Sequence, residues 1–262
     1  MIPTNFLDPI PIWAMYIVTF MVALLGFELG YRYGLFRQKK DQSEPDKTLD
    51  AMVGATLGLL AFLLAFVMSM ASDRYDNRRQ LVVEEADTIR SAYLQAGYLA
   101  EPYPEKIRSL LREYVDIRIA TPDTQNNIDT VLVRSEEIQA ELWGLTEAVV
   151  AETPGRDEVS LFIASINETI NLHSRRVAAL RARLPETIVL VLYLVAALSM
   201  MMVGFQNSYN GKRNFFSALS VILIFTVVMM LIIDLDRPQE GLLKVSQQAL
   251  IDLQRQIASM PK

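Results

Sequence analysis

Two phenylalanines spaced one helical turn apart are the first residues of this sequence whose pattern suggests a function. Phe62 and Phe66 lie in an uncharged segment, and three arginines, Arg74, Arg78 and Arg79, follow it. A large ring among small residues can narrow a pore until water leaves it. Arginines at the end of such a segment would attract anions to its mouth.

The segment around these phenylalanines carries a stripe of small residues on one side of the predicted helix. Phe62 falls inside this stripe, and Phe66 lies slightly to its side. Small residues at this spacing also permit close helix packing in lipid, with the phenylalanines inside a bundle. The arginines could likewise only anchor the helix at lipid headgroups. The small residues are Ala51, Gly54, Ala55, Gly58, Ala61, Ala65, Ser69 and Ser72.

Two aspartates near the carboxyl end, Asp234 and Asp236, form a second candidate site. Their oxygens are suitable ligands for calcium, but a calcium site usually has more carboxylates, and only Glu240 is close in sequence. The alternative is that the two aspartates end an apolar segment and pair with nearby arginines. The sequence predicts no other cofactor.

The other ionisable residues are interpreted as structural. Glu84, Glu85 and Asp87 are expected on a solvated helix face, where Arg90 can pair with Asp87. The single histidine, His173, is expected to be a hydrogen-bonded helix residue that could sense pH. Glu28 has Arg32 four residues later, which is the spacing of a helical ion pair, so these two residues are expected to bind each other.

Composition argues against several classes of protein. There is no cysteine and only one histidine, which excludes disulfides, thiolate metal sites and pairs of imidazole ligands. Glycine-rich phosphate-binding loops and the Gly-x-Ser-x-Gly elbow of hydrolases are also absent from the sequence. An enzyme is therefore not predicted. The net charge of −5 gives no reason to expect nucleic-acid binding.

Four apolar segments predict an all-α integral membrane protein, because about 20 helical residues cross the roughly 30 Å hydrocarbon core. The sequence divides into an amino-terminal pair of spans (1–72), a helical insert (73–186), a second pair of spans (187–233) and a carboxyl-terminal turn with an amphipathic helix (234–262). The spans are Ile10–Leu29, Ala51–Ser72, Thr187–Phe205 and Phe215–Ile233.

The insert is predicted to consist of helices that are separated by prolines. The second span is expected to continue as one helix to about Leu99. Three more helices are expected at Glu105–Ala120, Asn126–Glu152 and Asp157–Leu184, and the carboxyl-terminal helix at Leu242–Ile257. The apolar positions Val131, Ile138, Leu142, Leu145 and Val149 share one helix face, which suits a bundle core or a subunit contact.

These motifs resemble those of the bacterial bestrophin-like family of four-span proteins and, more remotely, the bestrophin anion channels. The resemblance rests on the phenylalanine pair with the following Asp-Arg-Tyr segment, on the Glu-Ala motif at position 85, on the His-Ser-Arg-Arg segment at position 173, and on Asp-Leu-Asp-Arg-Pro at position 234. It covers nearly the whole chain. By this resemblance Phe62, Phe66 and Gly58 correspond to the pore neck.

The resemblance implies a passive channel for small anions, with Arg74, Arg78 and Arg79 at the inner mouth. It also implies a cyclic homo-oligomer, expected to be a pentamer, in the lipid of a bacterial inner membrane. Lys and Arg residues near the span ends slightly favour a cytoplasmic insert and cytoplasmic termini. The alternative is a non-conducting membrane scaffold or sensor whose helical insert binds a protein partner.

Overall fold

The structure, a computed structural model, describes residues 10–40, 48–119, 125–209, 215–237 and 241–260. Within these residues the fold is all-α, with no β-strand, as predicted. A short 3-10 helix, Ala96–Tyr98, follows the second α-helix. The α-helices are α1 (Ile12–Lys40), α2 (Thr48–Gln95), α3 (Tyr103–Ile119), α4 (Gln125–Glu152), α5 (Asp157–Arg181), α6 (Glu186–Tyr209), α7 (Phe215–Asp236) and α8 (Gln248–Ser259).

Four stretches of the described chain are helical, long and apolar enough to cross a membrane. They comprise α1, the first part of α2, α6 and α7, which contain the four predicted spans except for the first two residues of the span predicted at Ile10–Leu29. The prediction of a four-span integral membrane protein is therefore confirmed. The short connections at positions 41–47 and 210–214 lie outside the described residues.

The chain divides into two compact units. The membrane unit comprises Met1–Tyr75 and Ala182–Lys244, and the extramembrane unit comprises Asp76–Arg181 and Val245–Lys262. Helix α2 contributes residues to both units, so its apolar first part and its polar second part have different surroundings. The carboxyl-terminal segment is also shared, because residues 241–244 belong to the membrane unit and α8 belongs to the other.

Helices α1, α2, α6 and α7 share one apolar core in the membrane unit. Phe27, Leu60, Leu192 and Phe225, one from each helix, are buried in this core. Glu28, near the end of the first apolar segment, accepts a hydrogen bond from Nε of Arg32 at 2.9 Å. The expected ion pair between these residues is confirmed.

A very close helix contact in the membrane unit joins α1 to α6. A Cβ atom added at Gly30 would lie 1.8 Å from the carbonyl oxygen of Met201, and one at Gly204 would lie 2.0 Å from that of Phe27. Since real Cβ atoms do not approach backbone atoms this closely, only glycine fits at either position. Gly26 and Gly34 continue the same face of α1 and are buried with it.

The extramembrane unit is a helical bundle with its own apolar core. Tyr93, Ile107, Ile138 and Phe162 come from four different helices and are fully buried together. Helices α3, α4 and α5 lie within a few residues of their predicted bounds, and the predicted apolar face of α4 contributes Ile138, Leu142 and Val149 to this core.

The carboxyl-terminal helix begins later than predicted. Helix α8 starts at Gln248, not at Leu242, because the backbone N–H groups of Leu242 and Leu243 are bound by the carboxylate of Asp234. Those two residues therefore belong to a turn that is fixed by a side chain of the membrane unit. The apolar face of α8 packs through Leu250, Leu253 and Ile257 into the extramembrane core.

Candidate functional site

The predicted pore residues lie on an exposed face of α2, which we call the open α2 face. The side chains of Phe62 and Phe66 are prominent on it, with 68 % and 55 % of each residue exposed. Among the residues that the structure describes, a Cβ atom added at Gly54 or Gly58 would meet no atom within 4 Å. The small and aromatic residues of this face are Ala51, Gly54, Ala55, Gly58, Ala61, Phe62, Ala65, Phe66 and Ser69.

The opposite face of α2 fixes this orientation. Leu60, Val67 and Ala71 are buried in the core of the membrane unit, and Val53 is buried one heptad before Leu60. Burial of the larger side chains of Val53, Leu60 and Val67 turns the small residues outward. Within the described chain, the small stripe is therefore not a packing face, and the phenylalanines do not fill the interior of the bundle.

The other exposed surfaces of the membrane unit have a different composition. Helices α1, α6 and α7 expose large aliphatic side chains, whose size is typical of contact with lipid tails. On the open α2 face, alanine, glycine and serine surround two aromatic rings, and α2 also exposes the large side chains of Met52 and Leu59 beside them. The aliphatic side chains include Ile17, Leu25 and Leu29 on α1, Leu190, Leu194 and Leu198 on α6, and Ile224 and Val227 on α7.

The three predicted mouth arginines do not share one environment. Arg74 is partly buried and donates a hydrogen bond from Nη1 to the carbonyl oxygen of Arg183 at 2.8 Å. Arg78 is only 3 % exposed, whereas Arg79 is exposed. Arg79 is thus the one of the three with the exposure expected of an anion-attracting group.

The two carboxyl-terminal aspartates serve as hydrogen-bond acceptors within the membrane unit. Asp234 is buried and accepts from the N–H groups of Leu242 at 2.6 Å and Leu243 at 2.8 Å, and from the Tyr16 hydroxyl at 3.2 Å. Asp236 Oδ1 accepts from the N–H of Leu184 at 2.8 Å. These donors occupy oxygens that a metal ion would need.

The turn that follows these aspartates depends on a glycine. A Cβ atom at Gly241 would lie 2.6 Å from Oδ1 of Asp234. Glu240, the third carboxylate considered for calcium, lies outside the described residues. Among the residues that are described, no group of three or more His, Asp or Glu side chains is placed to hold a metal ion. Calcium at this turn therefore stays a prediction.

A buried polar group in the extramembrane unit was not predicted. It is centred on Glu85, which is 0 % exposed. Arg118 Nε lies 3.2 Å from Glu85 Oε1, Arg176 Nη1 donates to Oε2, and the Tyr114 hydroxyl donates to Oε1 at 3.0 Å. The expectation that Glu85 lies on a solvated face is wrong. These residues, with Gln139 and His173, are called the Glu85 cluster.

The burial of Glu85 follows from its place in the helix. It lies on the stripe of α2 that also carries Leu81, Ile89 and Ala92, all of them buried. This i, i+4 spacing is the signal in the sequence that could have revealed it. The neighbouring Asp87 is exposed and accepts a hydrogen bond from Arg90 at 2.7 Å, so that predicted pair is confirmed.

His173 occupies the other side of the Tyr114 hydroxyl. Its Nδ1 lies 3.3 Å from the Tyr114 oxygen, which also receives a hydrogen bond from Gln139 Nε2 at 3.2 Å. Because the Tyr114 proton is directed to Glu85, Nδ1 is the donor in its contact with Tyr114. The prediction of a hydrogen-bonded helix residue is confirmed, with a partner on a different helix.

Electrostatics define the charge state of the cluster. Burial alone would raise the pKa of Glu85, but Arg118 and Arg176 outweigh it and hold that pKa below the ordinary value. Burial, together with the positive charge of Arg118, lowers the pKa of His173 to about 4. Burial also raises the pKa of Tyr114. At neutral pH Glu85 is therefore ionised, and His173 and Tyr114 are neutral.

Four apolar spans around one core, together with a separate helical bundle, define an all-α integral membrane protein. The family model described as Bestrophin-like domain matches residues 17–250. The chain therefore belongs to the Bestrophin-like family. No curated protein matches the sequence.

Three solved structures have a similar fold. A bacterial bestrophin homologue from Klebsiella pneumoniae with one substitution is 13 % identical, with a TM-score of 0.66, over 95 % of this chain and 99 % of that chain. A crystal structure described only as a membrane protein is also 13 % identical, with a TM-score of 0.66, over 94 % and 97 %. A second variant of the Klebsiella homologue, 13 % identical, has a TM-score of 0.60 over 95 % and 99 %. At this identity the likeness concerns the fold alone.

Proposed function

We propose that this protein is a passive channel for small anions such as chloride, formed by a cyclic homo-oligomer in which α2 of every subunit lines a central pore. The open α2 face is the observation that supports this proposal. It is exposed although it lies in an apolar helix, and its small residues differ from the large aliphatic side chains that face outward elsewhere. Closed cyclic symmetry would bring one such face from each subunit to a common axis. Five subunits are expected from the family resemblance.

Phe62 and Phe66 form the narrow part of the proposed pore. Both rings project from a face on which the neighbouring side chains are small. Several copies around an axis would make an apolar ring, from which water is expelled when the radius is small. Gly58 adds no side chain one turn earlier, so the constriction in this protein is limited to two rings of phenylalanine.

The charge at the end of the apolar segment supports anion entry mainly through Arg79. This residue is exposed, whereas Arg78 is buried and Arg74 binds a backbone carbonyl. In the proposed assembly one Arg79 from each subunit would raise the local anion concentration.

We place the protein in the bacterial inner membrane, with the extramembrane unit in the cytoplasm. Catalysis forms no part of the proposal.

The test is anion efflux from liposomes that hold the purified protein. The Phe62→Ala/Phe66→Ala variant is expected to conduct more than the wild type, because the apolar ring is removed. Phe36→Ala and Phe216→Ala are matched controls, since both phenylalanines are exposed on other helices, at 66 % and 82 %. These controls should conduct as the wild type does. Equal background flux from wild type and double variant, with the oligomer intact, would contradict the proposal.

Sidedness has its own test. The chain has no cysteine, so a single introduced cysteine gives an unambiguous label. Asp123, an obvious choice from the sequence, lies outside the described residues. Ala151, at the exposed end of α4, is suitable in its place. Ala151→Cys should resist a membrane-impermeant thiol reagent in intact cells and react after lysis.

A second function is favoured by one observation on the extramembrane unit. Helix α4 exposes Val133, Trp143 and Val150, at 56 %, 37 % and 40 %. Contiguous apolar patches outside the membrane are typical of protein contacts, whereas single exposed apolar side chains are ordinary. A scaffold or sensor that binds another protein through α4 is therefore the alternative. Absence of ion flux, combined with loss of binding in a Val133→Ser/Val150→Ser variant, would favour it.

A further inference from the structure

A small cavity in the extramembrane unit adjoins the Glu85 cluster. Its volume is about 30 Å³. Two guanidinium side chains line it, those of Arg78 and Arg176, together with the amide of Gln247. Arg78 is 3 % exposed, and the Arg176 side chain is 11 % exposed. The remaining wall is mainly aliphatic, with Leu81 and Val82 from α2. Charged donors thus meet in a small cavity that is partly open to solvent, with Val245 and Gln247 half-buried at its wall.

The groups beside this cavity carry an excess of positive charge. Arg118 and Arg176 both bind the single carboxylate of Glu85, and the other members of the cluster are neutral at pH 7. Two cations and one anion leave a net positive charge in a buried site. Arg78, which has interactions of its own, brings a further guanidinium to the cavity wall. A buried net charge is costly unless a counter-ion compensates it.

One neighbouring group, His173, responds to this positive field. Burial is the main cause that lowers its pKa, and Arg118 and Arg176 lower it further against the opposing charge of Glu85. For Arg176, burial is the main cause that lowers the pKa, the carboxylate of Glu85 raises it, and Arg118 lowers it. An anion in the cavity would relieve the repulsion between the two arginines.

The size of the cavity limits what it can hold. A water molecule needs roughly 10–15 Å³ of space for its centre to move in. On the same measure this cavity offers about 30 Å³, which accommodates one or two water molecules or one small ion. A halide ion fits this space. A phosphate ester, a nucleotide or a lipid headgroup is much larger than this volume. Arg176 is held in position at the wall, because its Nη2 also donates to Gln247 Oε1 at 3.1 Å.

We infer that this cavity is a resident binding site for a single halide-sized anion, held between Arg78 and Arg176, which neutralises the excess charge of the Glu85 cluster and stabilises the extramembrane unit. The site is independent of the proposed pore, since it lies within the extramembrane unit and needs no second copy of the chain. The anion has a structural role here, comparable to that of a buried counter-ion.

Thermal unfolding of the purified full-length protein in detergent tests the inference. Chloride is replaced by gluconate, which is too large for the cavity, at constant ionic strength. Chloride and bromide should raise the Tm of the wild type saturably, by about 3 °C or more at ten times Kd. Identical Tm values in chloride and gluconate would overturn the inference. No ion flux is measured, so the result does not depend on channel activity.

Substitutions show whether the chloride-dependent increase in Tm comes from binding in the cavity. Arg78→Gln should lose the chloride-dependent increase in Tm, whereas Arg175→Gln should keep it, because the Arg175 side chain is 53 % exposed. The Phe62→Ala/Phe66→Ala variant should also keep it. An increase that survives Arg78→Gln, or disappears in the phenylalanine variant, would contradict the assignment.

A direct measurement covers the case in which Arg78→Gln does not fold. Wild-type crystals grown in bromide should show an anomalous peak between the guanidinium groups of Arg78 and Arg176. Water alone in the cavity gives no such peak, and its absence at saturating bromide would overturn the inference.

Discussion

Helices α1 and α2 both carry small residues at four-residue spacing, but only α1 uses them within the chain. Gly26, Gly30 and Gly34 of α1 are buried, and Cβ atoms at these positions would collide with α6. Gly54 and Gly58 of α2 have no neighbouring atom within 4 Å of an added Cβ. The same type of pattern therefore forms a helix contact on α1 and an exposed surface on α2.

The difference lies in what accompanies the glycines. On α1 the three glycines form one continuous row at four-residue spacing beside the buried Phe27, so the backbones of α1 and α6 can approach closely. On α2 the rings of Phe62 and Phe66 project from the small-residue face and prevent such an approach. A row of small residues at four-residue spacing predicts a close helix contact. When large aromatic rings project from the same face, the row is instead compatible with a surface that contacts other subunits.

The largest effect on stability is expected from a substitution that separates α1 from α6. Gly30→Leu places a side chain where its Cβ would lie 1.8 Å from the Met201 carbonyl oxygen, so α1 and α6 must separate. We expect a loss of roughly 3 kcal/mol or more in the free energy of unfolding, since overpacking against backbone has no simple relief. Thermal unfolding in detergent and gel filtration measure this loss.

The same substitution on the open α2 face is the control. Gly54→Leu should leave the chain folded, with a Tm close to that of the wild type, because nothing lies within 4 Å of the new Cβ. If both variants lose stability equally, the contrast between the two faces is not real. If only Gly54→Leu unfolds, the assignment of the two faces is reversed.

The sequence predicted the spans and most helix bounds, because these depend on local features. Apolar runs define the four spans, and the prolines at 102, 104, 122, 154 and 185 separate the helices of the insert. The start of α8 was missed because it depends on Asp234, which binds the N–H of Leu242 from the preceding helix. Such a contact has no signature in the residues that it displaces from the helix.

The candidate sites were predicted less completely. The phenylalanines and their small stripe were recognised, but a helical wheel does not say whether that face is buried or open. The sequence predicted a solvated position for Glu85 because a charged side chain usually faces water. Its partners Arg118 and Arg176 are far away in sequence, so nothing nearby indicated an ion pair. The apolar stripe of α2 could have indicated the burial of Glu85, but only tertiary structure brings two arginines to its carboxylate.

The packed interior also predicts a response to acid. The pKa of His173 is about 4 in the folded protein and 6.5 in the unfolded chain, so the unfolded state binds the proton more readily. The resulting stability is complete above pH 6.5 and is lost as the pH falls to about 4. The loss amounts to about 3 kcal/mol, and unfolding measured across this range should show it.

His173→Gln gives the control for this pH dependence. The chain has only one histidine, so no other imidazole titrates in this range. The groups around it are Tyr114, Glu85, Arg118 and Arg176, and Glu85 titrates below its ordinary value. Stability of the variant should therefore be nearly flat between pH 6.5 and 5. An equally steep fall in the variant would contradict the role of His173.

The smallest effect on stability and the sharpest test of the open face come from Gly58→Phe. In the Phe62→Ala/Phe66→Ala background, where flux is expected to be high, a ring at position 58 should restore an apolar constriction one turn away and lower the anion flux. Stability should hardly change, because an added Cβ meets no atom within 4 Å. Gly144→Phe on α4, where a Cβ is equally unobstructed, is the matched control and should leave the flux high. Flux that Gly58→Phe does not lower would mean that the open α2 face does not line the pore at this level, and that small residues on α2 serve contact between subunits.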